Sequence, residues 1–153
     1  MKDQYKDLKE DILDEEKAIE ETLERLCRIR NSFNSQKEDY LVEPAMGTYL
    51  MNFYNGIENI LKRICKEYYL ILPKGESWHK ELLILSYKPP EGKIPIFNRE
   101  TIERLAPYRN FRHRFVSGYG FQLNGEKMLD LIDNIDPLWI EIKKSINEFL
   151  ERI

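Results

Sequence analysis

Apolar residues recur at spacings of three and four through most of this chain, and that period commits it to packed helices. Residues 2–34 carry the longest instance. There Tyr5, Leu8, Ile12, Glu15, Ile19, Thr22, Leu26, Ile29 and Phe33 draw one mostly apolar stripe, which Leu23 and Cys27 widen. No Gly or Pro interrupts it before the run Asn31-Ser32-Phe33-Asn34-Ser35. Pro44 opens a second helix over about 45–68, striped by Met46, Leu50, Phe53, Ile57, Ile60, Leu61, Ile64 and Tyr68. Gly56 sits inside it, where a close helix–helix approach is the usual compensation for lost propensity.

Pro73, Gly75, Pro89, Pro90, Gly92 and Pro95 break up residues 70–98, leaving room for a short helix from Ser77 to Ser86. Asn98 is a good N-cap for a helix from Arg99, which Pro107 is expected to kink or restart. Gly118 or Gly120 should end it. Asn124 caps a last helix striped by Met128, Ile132, Ile135, Trp139, Ile142, Ile146, Phe149 and Ile153, with a bend at Pro137. The expected fold is all-α: four main helices in a bundle plus a short one, in a single domain of residues 1–153.

Composition narrows the function classes. No run approaches a membrane span, and the first residues lack the apolar core of a signal peptide, so a cytoplasmic protein is expected. Cys27 and Cys65 have no CxxC spacing and are expected to be small buried side chains. With His79 and His113 as its only histidines, the chain has little for a histidine-based metal site. It also has no glycine-rich phosphate loop, so no cofactor is expected. The net charge is −3, which is not that of a general DNA binder. Charge is unevenly spread, however. Residues 1–24 are acidic, whereas Arg99, Arg104, Arg109, Arg112 and Arg114 cluster with only Glu100 and Glu103 among them. A local patch of that kind can hold phosphate on an acidic protein.

The densest chemistry lies in residues 111–121. Arg112, His113, Arg114 and Ser117 alternate there with Phe111, Phe115, Tyr119 and Phe121. At about 3.6 residues per turn, Arg112, Val116 and Tyr119 share one helical stripe, with His113 and Ser117 on the next. A guanidinium grips a phosphodiester through two oxygens, and an imidazole can take a proton from a ribose 2′-hydroxyl. A plainer reading stands beside this one. Arginines near a helix C-terminus suit the macrodipole, and aromatics at this spacing usually pack in cores. His79 beside Trp78 reads as a half-buried histidine at the short helix.

The segment resembles the signature of HEPN ribonuclease toxins: Arg, a polar residue, three more positions, His, one residue and Tyr. Arg112, His113 and Tyr119 fall in register with it. Phe53-Tyr54-Asn55-Gly56-Ile57-Glu58 is similar to the second helix of the HepT-like branch, and Gly75-Glu76-Ser77-Trp78-His79 to its Trp-His segment. Together these cover residues 45–153, after the long acidic helix of residues 1–34.

The resemblance implies an up-and-down helical bundle that dimerises and cuts RNA without a metal. Arg112 would bind and polarise the scissile phosphate, and His113 would position the phosphate or Arg112; from the basic patch itself, Arg109 and Arg114 are expected to add phosphate contacts. Glu58 would orient Arg112. Tyr119 would accept AMP from a nucleotidyltransferase antitoxin, as in type VII-like toxin–antitoxin pairs.

At the place of the family His stands Ser117. A serine hydroxyl is far too weak a base at neutral pH without an activating partner. Loss of a general base costs on the order of 10²–10⁴-fold. Three explanations stay open: a HEPN protein that binds without cutting, a toxin carrying a disarming substitution, or a chain whose His113 supplies the imidazole. The other function class is a non-catalytic helical RNA- or protein-binding module that docks a nucleotidyltransferase. For that class the stripe of residues 5–33 would be an interaction surface and Arg112 would be solvated or salt-bridged.

Overall fold

The computed structural model describes residues 3–33, 41–118 and 124–153. Among them lie six α-helices and no strand: α1 (Lys6–Asn31), α2 (Val42–Ile64), α3 (Trp78–Tyr87), α4 (Arg99–Ser117), α5 (Gly125–Asp133) and α6 (Ile135–Arg152). The all-α bundle expected from the hydrophobic period is therefore what forms.

Helix α2 is its axis. Phe53, Tyr54, Ile57, Ile60, Leu61 and Ile64 have no exposed surface, and Met46 and Leu50 are equally enclosed. A helix apolar on nearly all sides must be surrounded. α1 packs along one side of it and α4 along another, with α3 and α5 also against it. Phe53 meets Tyr108 of α4 edge-on at 5.5 Å and Trp139 of α6 at 6.4 Å. Tyr108 then donates its hydroxyl hydrogen to the Leu131 carbonyl at 2.5 Å, tying α4 to α5.

Gly56 has the close approach its position called for. A Cβ built there would stand 2.5 Å from Ile19 Cγ1 of α1, so any larger residue must push Ile19 aside. The apolar stripe of α1 is spent on this contact. Leu8, Ile12, Ile19, Leu23 and Leu26 are all buried, so the stripe is not a free docking surface.

Several expectations need correction. Cys27 is exposed, because its side of α1 faces solvent beyond the stripe. Cys65 is buried, and burial pushes its thiol up to about 12. In α1 it is Glu16, not Glu15, that is buried with the stripe. α2 ends earlier than the periodicity suggests and runs on as a π-helical turn over Cys65–Tyr69, closed by Leu70 at φ +61°. α4 passes through Pro107 without a break. The expected last helix is two helices, divided at Asn134 rather than at Pro137. Pro137 instead falls in the first turn of α6, where its missing N–H leaves no helical bond unmade.

The caps behave as their side chains predict. Asn98 Oδ1 accepts from the Thr101 amide at 2.9 Å, and Asn124 Oδ1 from the Lys127 amide at 3.1 Å. Gly118 caps α4 in extended backbone. Between α3 and α4 the Pro-rich segment is pinned to the bundle. The amides of Ile96 and Phe97 both donate to the Ser86 carbonyl, and Tyr69 donates its hydroxyl hydrogen to the Ile94 carbonyl. This fixes how α4 sits against the N-terminal turn of α3. No helix among the described residues is long and apolar enough to cross a membrane.

Candidate functional site

Two polar side chains stand one turn apart on the buried axis. Asn55 and Glu58 both face away from α1, toward α3 and α4. Glu58 is only 2% exposed, and a carboxylate that deep must be paired or pay heavily in lost hydration. Both of its oxygens are engaged. Oε2 meets His79 Nδ1 at 2.5 Å, and Oε1 lies 3.5 Å from Arg112 Nε.

Arg112 comes from the buried side of α4, half-shielded from solvent. Its Nε donates to Asn55 Oδ1 at 2.5 Å. The terminal nitrogens Nη1 and Nη2 have no hydrogen-bond partner among the described residues. The guanidinium is thus gripped along one edge, and the edge that makes two-pronged contacts with oxyanions is left over.

His79 comes from the first turn of α3. Its ring lies against Trp78, with centroids 3.4 Å apart, and the Lys62 ammonium covers Trp78 at 4.2 Å. Tyr54 lies behind this group. Its hydroxyl is buried with no partner among the described residues. Burial pushes its phenol upward, the Glu58 charge acts the same way, and Arg109 and Arg112 oppose them.

In front of the pair opens a cavity of about 370 Å³. Arg109, Arg112, His113 and Arg114 line it from α4, and Glu76, Ser77, His79 and Lys80 from the start of α3. Four fixed cations face one carboxylate across this space. The N-terminal turn of α3 lines the same space and brings the positive end of its dipole to it. The cluster of arginines is thinner than the sequence suggests, because some are consumed. Arg99 pairs with Glu103 and Arg104 with Glu141, both away from the cavity. Arg109 and Arg114 form no ion pair among the described residues. The result is a pocket suited to a phosphate-sized anion.

The structure therefore brings Arg109, Arg112, His113 and Arg114 to one cavity and sets Glu58 behind it. It does not bring Ser117 there. Ser117 is exposed at the last residue of α4 and does not line the cavity. His113 lines it but is exposed and has no hydrogen-bond partner among the described residues. Tyr119, Gly120 and Phe121 lie outside the described residues. Phe111 and Phe115 are half-buried and stack on each other at 5.8 Å, with Phe111 also packed against the edge of the core.

Asn55 and His79 are the members that the residue pattern alone did not single out. A signal for the first exists: Asn55 and Glu58 are polar interruptions, three apart, on a helix otherwise built for burial. For His79 the signal is its likeness to the family's Trp-His segment, but its partner is supplied by the fold. Among the described residues no group of three or more His, Cys, Asp or Glu side chains could hold a metal ion.

Comparison with known proteins agrees with this geometry at the level of family. A family model described as HepT-like protein matches residues 45–153, most of the chain and all of the site. The chain belongs to that family, a branch of the HEPN superfamily. The match begins after α1, which it leaves out. No curated protein and no solved structure matches the chain.

Proposed function

From its membership of the HepT-like family we propose that the chain is a HEPN-type toxin, an endoribonuclease whose cavity holds the scissile phosphate of RNA. One observation carries the reading. Arg112 is fixed along one edge by Asn55 and a buried Glu58, while it lines a cavity rich in cations. Preorganised cations aimed at a phosphoryl group are the largest single contribution available to a catalyst of this reaction. Arg112 binds the non-bridging oxygens and takes up the charge that grows on them. Arg109 and Arg114 hold neighbouring phosphates, and His113 lies where it can help position the scissile one.

The remaining parts follow from the family resemblance. The toxin works in the cytoplasm as a homodimer, with two such faces brought together, and needs no metal. Its partner is a nucleotidyltransferase antitoxin that transfers AMP to Tyr119. Mass spectrometry after incubation with the partner and ATP tests the last point, by the mass of one AMP on Tyr119.

The second reading is a non-catalytic helical module that docks such a partner. The exposed Ser117 at the family His position favours it, and the ion pair of Arg112 is compatible with it. The burial of the α1 stripe counts against it.

The deciding experiment incubates total RNA with the chain and with Ser117→His, each with and without Arg112→Ala. Cleavage by either, lost with Arg112→Ala, supports the toxin. A folded chain and a folded Ser117→His variant that both leave RNA intact give the binding module precedence.

A further inference from the structure

The imidazole missing at position 117 has a substitute elsewhere in the cavity. We propose that His79 is the general base of this chain, oriented by Glu58, and this rests on the ribonuclease reading above.

His79 Nδ1 sits 2.5 Å from Glu58 Oε2. With a carboxylate oxygen as its neighbour, Nδ1 is the nitrogen that carries the hydrogen and donates it. Nε2 is then the nitrogen with the free lone pair. Glu58 is buried, so water does not compete for the bond, and the ring is held in one tautomer and one orientation. The other oxygen of the same carboxylate lies beside Arg112 Nε. One buried group thus sets both an imidazole and a guanidinium on the wall of one cavity. Together they supply what phosphodiester cleavage needs: a base for the 2′-hydroxyl and a cation for the phosphate.

The alternatives in the chain are less well placed. His113 faces the cavity with nothing among the described residues to orient it, and Ser117 does not reach the cavity at all.

The step balances without a cofactor. His79 Nε2 takes the proton of the ribose 2′-hydroxyl. The 2′-oxygen forms a bond to phosphorus while the bond from phosphorus to the 5′-oxygen breaks. The 5′-oxygen leaves with the bonding pair and takes a proton from water. The products are a 2′,3′-cyclic phosphate and a 5′-hydroxyl. His79 then returns its proton to solvent.

The test uses the full chain and total RNA, with cleavage read by end-group analysis and RNA binding read separately by filter retention. His79→Asn keeps a donor where Nδ1 stood, so Glu58 stays paired and the fold is protected, but the base is gone. The unsubstituted chain is expected to cleave, and His79→Asn to lose on the order of 10²–10⁴-fold in rate with RNA binding retained. Free imidazole is expected to restore part of the rate to His79→Ala, which a merely structural role would not allow.

Cleavage by His79→Asn at the rate of the unsubstituted chain overturns the proposal. So does its survival there combined with its loss in His113→Ala. Loss in His79→Ala that imidazole does not repair makes His79 a positioning residue and also overturns it. If the unsubstituted chain is inert while Ser117→His cleaves, the base assignment fails and the toxin reading stands. If neither cleaves nor binds RNA, both fail together.

Discussion

The bundle buries two glutamates to the same degree and treats them in opposite ways. Glu16 of α1 and Glu58 of α2 are each 2% exposed. Glu58 has a guanidinium on one oxygen and an imidazole on the other. Glu16 faces α6, where the nearest cation, Lys143, is already held by both oxygens of Glu20 at 3.1 Å. What Glu16 meets is the Asn147 side-chain amide, at 3.1–3.2 Å when its nitrogen is turned inward. Burial therefore pushes the Glu16 carboxyl up to about 7, with Lys143 opposing and Glu20 adding to the rise. Burial alone says little about use. A buried carboxylate that holds a guanidinium and an imidazole on a cavity wall is placed for use, and one left with an amide is a cost to stability.

The largest effect should come from breaking the paired glutamate. Glu58→Ala leaves Arg112 and His79 without their anchor. The fold should lose about 3 kcal/mol, because hydrogen bonds to charged groups contribute roughly 1.5–3 kcal/mol each and part of the loss is recovered by water. RNA cleavage should fall by at least a hundredfold in protein that is still folded. Chemical denaturation and a cleavage assay on the same sample measure both. A drop in stability with cleavage intact would show Glu58 to be structural only.

Gly56→Ala strikes the same helix on its other side. The added Cβ meets the Ile19 side chain, and overpacking of this kind costs about 1–3 kcal/mol. The site is not touched, so RNA affinity at a temperature where the protein is folded should stay within about twofold. A large loss of affinity here would mean that the two sides of α2 are not independent. Arg112→Lys is gentler on the fold. It keeps the charge but removes the planar fork, and the expected loss is about tenfold to a hundredfold in cleavage, with melting temperature nearly unchanged.

How far these two environments could be read from the sequence differs sharply. The α1 and α2 stripes, the Asn98 and Asn124 caps and the packing role of Gly56 were all legible, because each is a local rule of period, capping or size. The exact residue buried in α1 was not. Glu15 and Glu16 are adjacent, and one step of helical phase decides which of them faces α6. The division at Asn134 was missed because Pro137 is tolerated in a first turn, so the break lies upstream of the residue that signals it. Within the site, Arg112 and Glu58 were found through their resemblance to a family pattern. His79 was discounted, because its meaning depends on a partner 21 residues away that only the packing of α3 against α2 provides.

The smallest predicted effect isolates Glu16. Its folded carboxyl titrates at about 7 against an ordinary value of 4.5, so between those two values the folded state holds a proton that the unfolded chain has released. Stability contributed by this group is therefore greatest at low pH. It falls as pH rises from 4.5 through 7, and above that the full cost of a buried charge is present. Glu16→Gln removes the charge and keeps the shape. It should stabilise the protein at pH 8 by on the order of 1 kcal/mol, roughly 2–4 °C in melting temperature for a chain of this size. At pH 4.5 the difference from the unsubstituted protein should vanish. Glu58→Gln should show the opposite sign at pH 8, because there the charge is what Arg112 and His79 are built around. Melting curves of the two variants at both pH values give the answer. Equal destabilisation at pH 8 would erase the distinction between a tolerated carboxylate and an employed one.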